Sequence, residues 1–227
     1  MSRSNKITKL FDHKMWLYDF AKVTGALPVL IDQRMKRIYL AGKKPKDLFK
    51  GKFIISANHG SYEDPISIMN AVWKRRVLFL ATKEIFKNKF NNWLFKHTGA
   101  IKLDRDDVSI DTFKQVKNVL DRGHIVAIFP ESHVNKQEEI TSFKSGIGMI
   151  ATLCEAPILP IYIAPRHKRC NRQIVVIGNK IDYKQYMVTG ASTRDSMDKI
   201  TQVLQQEEIK LKQLYDSWKN RKENNNG

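Results

Sequence analysis

Asp64 follows His59 by five positions in the stretch Asn58-His59-Gly60-Ser61-Tyr62-Glu63-Asp64-Pro65. An imidazole with a carboxylate placed to orient it is the least equipment that can take a proton from an alcohol near neutral pH. The pair comes just after the apolar run Phe53-Ile54-Ile55, where a strand would end and a loop begin. In that role His59 is the general base, and Asp64 fixes its tautomer and stabilises the imidazolium, as in a Ser-His-Asp triad. Asp64-Pro65 also fits an Asp N-cap followed by Pro at the first helical position, so capping is the plainer reading of Asp64. Ser61 lacks the Gly-x-Ser-x-Gly elbow of a nucleophile, and the substrate's own hydroxyl would have to attack.

Further candidates follow in order. Arg105, in Gly99-Ala100-Ile101-Lys102-Leu103-Asp104-Arg105, suits a phosphate, because a guanidinium offers two parallel donors and keeps its charge. Lys102 adds to the same positive site, whereas Asp104, Asp106 and Asp107 allow a plain surface ion-pair cluster instead. Glu131 closes Phe129-Pro130-Glu131 at an expected strand end, where α/β sheets place their ligands, or else it caps a loop. Lys144 and Gly146 open a helix whose free amides could receive phosphate. Gly99 and Gly146 also suit turns, and Lys144 a solvated surface. His97, His124, His133 and His167 show no partner pattern, and His59 and Asp64 have no further His or Cys at ligand spacing, so no metal is expected.

These residues need a frame to hold them. Strand-like runs at Phe53 to Ala57, Val77 to Ala81, Ala100 to Leu103, Ile125 to Phe129, Ile158 to Ile163 and Ile174 to Ile177 alternate with helical patterns. The helices are expected near Pro65 to Trp73, Lys83 to Lys96, Ser109 to Asp121 (ended by Gly123) and Lys144 to Glu155. Such alternation predicts an α/β fold with a mixed, largely parallel sheet flanked by helices. Residues 7 to 23 read as an amphipathic helix, with Leu10, Phe11, Trp16, Tyr18 and Phe20 between Lys9, Lys14 and Lys22. Together with the basic stretch Gln33 to Lys52, it suits a membrane surface, or else helix packing and a solvated loop. The expected organisation is a docking segment over 1–50, a catalytic core over 51–190, and a polar C-terminal helix with a disordered tail over 191–227.

Composition narrows the partners. Forty Lys and Arg against 23 Asp and Glu give a formal charge of +17 over 227 residues, a field that favours polyanions. Cys154 and Cys170 are too few for a disulfide framework, and reduced thiols are expected. The longest apolar run near the start, Val23 to Ile31, contains a Gly and a Pro and is too short to span a bilayer; no secretory signal is expected either.

The ordered blocks from Gly51 to Ile163 resemble those of the glycerolipid acyltransferases, the PlsC-type 1-acylglycerol-3-phosphate acyltransferase family. His59 and Asp64 meet the first block, and Gly99, Ile101 and Arg105 the second. Of a third block reading Phe-Pro-Glu-Gly-Thr-Arg-Ser, only Phe129-Pro130-Glu131 match; Ser132 replaces the Gly, and Val134 stands in place of the Arg. Phe143-Lys144-Ser145-Gly146 and Pro157-Ile158-Leu159-Pro160 complete the series. The resemblance implies transfer of a fatty acyl group from acyl-CoA or acyl carrier protein to the free hydroxyl of 1-acylglycerol 3-phosphate, with no cofactor. It associates Glu131 with acceptor binding. The altered third block keeps a different lysolipid or a glycerol phosphate open as acceptor. Basic runs at Lys74-Arg75-Arg76 and Arg166 to Arg172 are candidates for the donor's phosphates or an acidic carrier. The expected location is the cytoplasmic face of the cell membrane, peripheral or monotopic, on anionic lipid. A nucleic-acid-binding protein is the alternative from another class; it rests on charge alone, and no reader motif accompanies it.

Overall fold

The computed structural model describes residues 19–20, 31–40, 45–89, 92–93, 98–103, 109–131, 133–135, 139–166, 168, 171–187 and 192–225. Apart from Asp19 and Phe20, the expected amphipathic helix over 7–23 lies outside these residues, as do Arg105 and its neighbouring aspartates.

Seven strands form one sheet in the order β1-β7-β6-β2-β5-β3-β4. They are β1 (Lys36–Tyr39), β2 (Ile54–Ala57), β3 (Val77–Thr82), β4 (Ile101–Leu103), β5 (Ile125–Ile128), β6 (Ile158–Ile163) and β7 (Ile174–Ile177). Neighbours run parallel throughout except β6 and β7, which pair antiparallel through Tyr162 and Val176. Every residue of β2, β5 and β6 is buried, which explains their largely apolar character, with Ser56 of β2 the polar exception: a central strand covered on both faces has no polar side to alternate with.

Helices α1 (Asp64–Ala71), α2 (Ile110–Asp121), α3 (Gly146–Leu153) and α4 (Thr193–Asn224) supply the covers. Ile54, Val126 and Ile158 face Val116 and Leu120 of α2, Ile150 of α3, and Ile200 and Leu204 of α4. Ile55, Ala127, Leu159 and Ile161 face Ile68 and Ala71 of α1 on the opposite side. The α4 helix is polar overall yet buries Ile200, Leu204, Glu208, Leu211 and Tyr215, a stripe at three- and four-residue spacing that explains why so charged a helix docks at all. It runs to Asn224, into the tail expected to be disordered, and begins in a capping box between Ser192 and Asp195.

The expected strands are all present, and the fold is the α/β arrangement expected. Gly123 ends α2 as anticipated: at φ 81°, its N–H donates to Leu120 while that of His124 reaches back to Val119, a Schellman pair. Three local readings differ. Part of the stretch expected as a basic docking loop is the edge strand β1, whose short Lys-Arg-Ile-Tyr segment pairs with β7; Arg37 donates to the carbonyls of Asn70 and Ala71 at the end of α1. The expected helix from Lys83 begins as a 3-10 turn over Lys83–Lys87, because Asn88 takes an extended conformation and breaks the ladder. Asp64 does not cap α1: Glu63 holds the cap position, and neither makes a side-chain capping bond.

Candidate active site

The parallel strands β2, β5 and β6 end side by side, and the residues just beyond them build a cavity of about 500 Å³. β2 delivers His59 two residues past its last position; β5 delivers Phe129 and Glu131; β6 delivers Pro165 and Arg166. Asn58 locks the first of these exits. Its Nδ2 donates to the Ile163 carbonyl at 3.0 Å and its Oδ1 accepts from the Ile163 N–H at 2.7 Å, so one side chain extends the β2–β6 pairing past the last strand residue. On the far side of the turn, the Asn135 N–H donates to the His59 carbonyl at 2.7 Å.

Asp64 and Phe129 hold the His59 ring. Its Nδ1 lies 3.1 Å from Asp64 Oδ2, and its ring stacks on Phe129 with centroids 4.2 Å apart. Asp64 is 5% exposed, and its Oδ2 also accepts from the Ser61 N–H at 2.7 Å. That backbone bond fixes the carboxylate independently of the imidazole. With Asp64 an acceptor, His59 carries its proton on Nδ1, which leaves Nε2 as the lone-pair nitrogen toward the cavity. The arrangement can accept a proton at Nε2 and stabilise the resulting imidazolium through the buried carboxylate.

Glu131 is also buried, at 4% exposure, and its Oε2 accepts from the Thr141 hydroxyl at 2.9 Å. It lines the same cavity as His59 and Asp64. Beneath the floor, Ser56 of β2 donates to Oε1 of Glu208 from α4. Glu208 is fully buried and its Oε2 lacks a hydrogen-bond partner among the described residues. Burial pushes its carboxyl well above the usual carboxylate range; the Ser56 bond opposes this, and the nearby Glu131 charge adds to it.

The cavity thus joins His59, Asp64 and Glu131 from separate parts of the chain. It joins none of the other candidates among the described residues. Gly99, at φ 77°, makes the turn before β4, where the left-handed conformation favours glycine. Lys102 is exposed on that edge strand, and neither residue lines the cavity. Lys144 is exposed, and Gly146 opens α3 with nothing close to its missing side chain; both lie outside the lining, although the Lys144 N–H donates to the Pro130 carbonyl beside Glu131 at 3.2 Å. Arg105 lies outside the described residues.

The basic runs also separate. Arg75 donates to the carbonyls of Phe49, Gly51 and Gly123, and Arg76 pairs with Asp19, so this run braces the end of the sheet where β2, β3 and β5 begin, away from the cavity. Arg166 of the second run does line the cavity. Its Nη2 meets Asp32 at 2.9 Å and Glu63 at 3.1 Å. Asn58 had no role assigned in the sequence, and Phe129 entered only as part of the third block; neither the clamp to Ile163 nor the ring stacking on His59 could be read from them. Among the described residues no group of three or more His, Cys, Asp and Glu could hold a metal, and no helix is long and apolar enough to cross a membrane.

A family model described as Acyltransferase matches residues 33–164. The chain is similar to the 1-acyl-sn-glycerol-3-phosphate acyltransferase of Bacillus subtilis (strain 168), with 28% identity over 145 residues, 63% of this chain and 69% of that protein. The protein of the same name from Streptococcus pneumoniae is 28% identical over 115 residues, 50% of this chain and 42% of its own. Taffazin of Dictyostelium discoideum is 22% identical across 89% of this chain and 76% of that one. The crystal structure of the 1-acyl-sn-glycerophosphate (LPA) acyltransferase PlsC from Thermotoga maritima shares the fold, with a TM-score of 0.62 over 95% of this chain and 84% of that one at 18% identity.

Proposed function

We propose, from the premise that this chain belongs to the Acyltransferase family, that it moves a fatty acyl group from a thioester donor to the free hydroxyl of 1-acylglycerol 3-phosphate, giving phosphatidic acid in phospholipid synthesis. The observation that carries the reading is the His59–Asp64 pair at 3.1 Å, with Asp64 tied separately to Ser61 and both residues in one cavity with Glu131. Similarity to the named acyltransferases of Bacillus subtilis and Streptococcus pneumoniae supports the choice of acceptor.

In this mechanism the acceptor hydroxyl donates to His59 Nε2 and attacks the thioester carbon. The proton passes to the imidazole as the new C–O bond forms, and Asp64 holds the imidazolium that results. Collapse of the tetrahedral intermediate breaks the C–S bond, and the imidazolium returns the proton to the leaving thiolate. The products are an ester and a free thiol, with no acyl-enzyme. Glu131, with its Oε2 already satisfied by Thr141, keeps acceptor capacity for a glycerol hydroxyl. Acyl-CoA and acyl carrier protein are both suitable donors for the same step. Action at an anionic membrane surface fits the net charge of +17 and the lipid nature of the acceptor.

The test is release of free thiol from acyl-CoA and from acyl carrier protein, with and without 1-acylglycerol 3-phosphate, in wild type and His59→Ala. Acceptor-dependent release that the substitution abolishes is expected, and the active donor names the carrier. A His59→Ala enzyme retaining a tenth of the wild-type rate would remove His59 as the base. Release without an acceptor, or only with a different lysolipid or a glycerol phosphate, would replace the acceptor. Flotation with anionic liposomes, run beside a nucleic-acid gel shift at the same ionic strength, tests the surface; binding to nucleic acid alone would overturn the membrane assignment.

A further inference from the structure

The cavity poses an electrostatic problem for its own substrate. Glu63, Asp64, Glu131 and Glu139 all line it, and Arg166 is the sole Lys or Arg among its described lining residues. A phosphate placed there meets carboxylates unless a cation is built in to receive it. The third block supplies none, because Val134 stands where the family pattern carries Arg, and Arg105 of the second block lies outside the described residues.

Arg166 is built in. Its side chain is only 9% exposed, and two contacts to Asp32 anchor it from behind: Nη2 to Oδ2 at 2.9 Å and Nη1 to the backbone carbonyl at 3.4 Å. Glu63 contacts the same Nη2 at 3.1 Å, but from a side chain 57% exposed. Glu63 occupies the cap position of α1 without making a side-chain bond to that helix. Asp32, which does not line the cavity, thus braces the guanidinium, and the solvent-facing carboxylate of Glu63, which does line it, meets the same nitrogen.

We propose that Arg166 is a phosphate-binding residue of the acceptor pocket, and that Glu63 is a resident anion which the acceptor's phosphate displaces. This rests on the reading of the acceptor as a phosphomonoester lysolipid. A phosphomonoester brings more negative charge and more acceptor oxygens to the guanidinium than a half-solvated carboxylate does, and departure of Glu63 removes one of the charges that oppose the phosphate. The same chemistry could serve the phosphates of coenzyme A, so the test must separate the two.

Isothermal titration with a short-chain 1-acylglycerol 3-phosphate, and separately with coenzyme A, would be run on the full chain as wild type, Arg166→Gln, Arg166→Lys and Glu63→Gln, with His59→Ala as a turnover-free reference. Acceptor binding about tenfold or more weaker in Arg166→Gln, partly restored in Arg166→Lys, with coenzyme A binding unchanged, is expected. Glu63→Gln distinguishes substrate binding from mere bracing. A structural salt bridge would make both Arg166→Gln and Glu63→Gln bind worse, whereas a displaced anion predicts tighter acceptor binding in Glu63→Gln. Weaker binding in Glu63→Gln, unchanged binding in Arg166→Gln, or loss confined to coenzyme A would each overturn the proposal. If the wild type binds the lysolipid at Arg166 but transfers no acyl group, the function fails and this site stands. Transfer that is indifferent to Arg166 has the reverse meaning.

Discussion

Asn58 and Ile163 are joined by a pair of hydrogen bonds, at 3.0 and 2.7 Å, that a side-chain amide makes to one residue's backbone carbonyl and N–H. Asn58 precedes His59, and Ile163 is the last residue of β6, so the clamp sets where the base leaves the sheet. Asn58→Ala would leave both backbone groups of Ile163 without these partners in a part-buried place. A loss of about 1–3 kcal/mol is expected in denaturant titration. Activity should fall further than stability explains, seen as a lower kcat in fully folded enzyme. Wild-type kcat in Asn58→Ala would show that His59 is positioned without the clamp.

Asp64 gives the sharpest catalytic test. Asp64→Asn can still accept from the Ser61 N–H, so the loop should keep its shape. It then presents an amide N–H toward His59 Nδ1 and favours the wrong tautomer. A fall in kcat of about a hundred- to ten-thousand-fold is expected at nearly unchanged melting temperature. A fall below tenfold would mean that Phe129 stacking alone orients the ring.

Glu208 makes stability depend on pH in an unusual direction. Its carboxyl is held well above the ordinary range, first by burial, so the folded state keeps its proton where the unfolded chain has released it. With more protons bound in the folded state, stability falls as pH rises above the unfolded value, until the folded group itself titrates. Glu208→Gln removes that dependence while preserving an acceptor for Ser56. The melting temperature of Glu208→Gln minus that of wild type should therefore grow from pH 5 to pH 9 (a range set by the ordinary Glu value of about 4.3). A constant difference would show that Glu208 is ionised in the fold.

Gly148 lies where α3 packs tightly against α4. A methyl there would overlap the Met197 carbonyl oxygen and crowd the Thr201 hydroxyl. Gly148→Ala should destabilise by about 1–3 kcal/mol or more despite the better helix propensity of Ala, because the backbone of α4 must retreat. Chemical denaturation would measure it; an increase in stability would mean that the two helices separate freely.

The sequence by itself determined the strands and the acid–base pair, and the physical reasons are local. Runs such as Ile125 to Ile128 are short, rich in β-branched residues and without polar alternation, which suits strands covered on both faces. His59 and Asp64 are five positions apart across a strand-to-helix turn, close enough for sequence spacing to imply contact. Gly123 declared the end of α2 because a Schellman turn needs a left-handed residue. What only the tertiary structure decided depends on residues far apart in the chain. Glu131 shares a cavity with His59 because β5 pairs beside β2, while Gly99, Lys102, Lys144 and Gly146, equally plausible in the sequence, fall outside that cavity. The basic runs looked alike until the sheet placed Arg75 where the strands begin and Arg166 where β6 ends. Glu208 read as one more charge on a polar helix; only docking of α4 beneath β2 buried it against Ser56. Periodicity and motif spacing report on neighbours along the chain, whereas burial and strand order are set by the packing of the whole sheet.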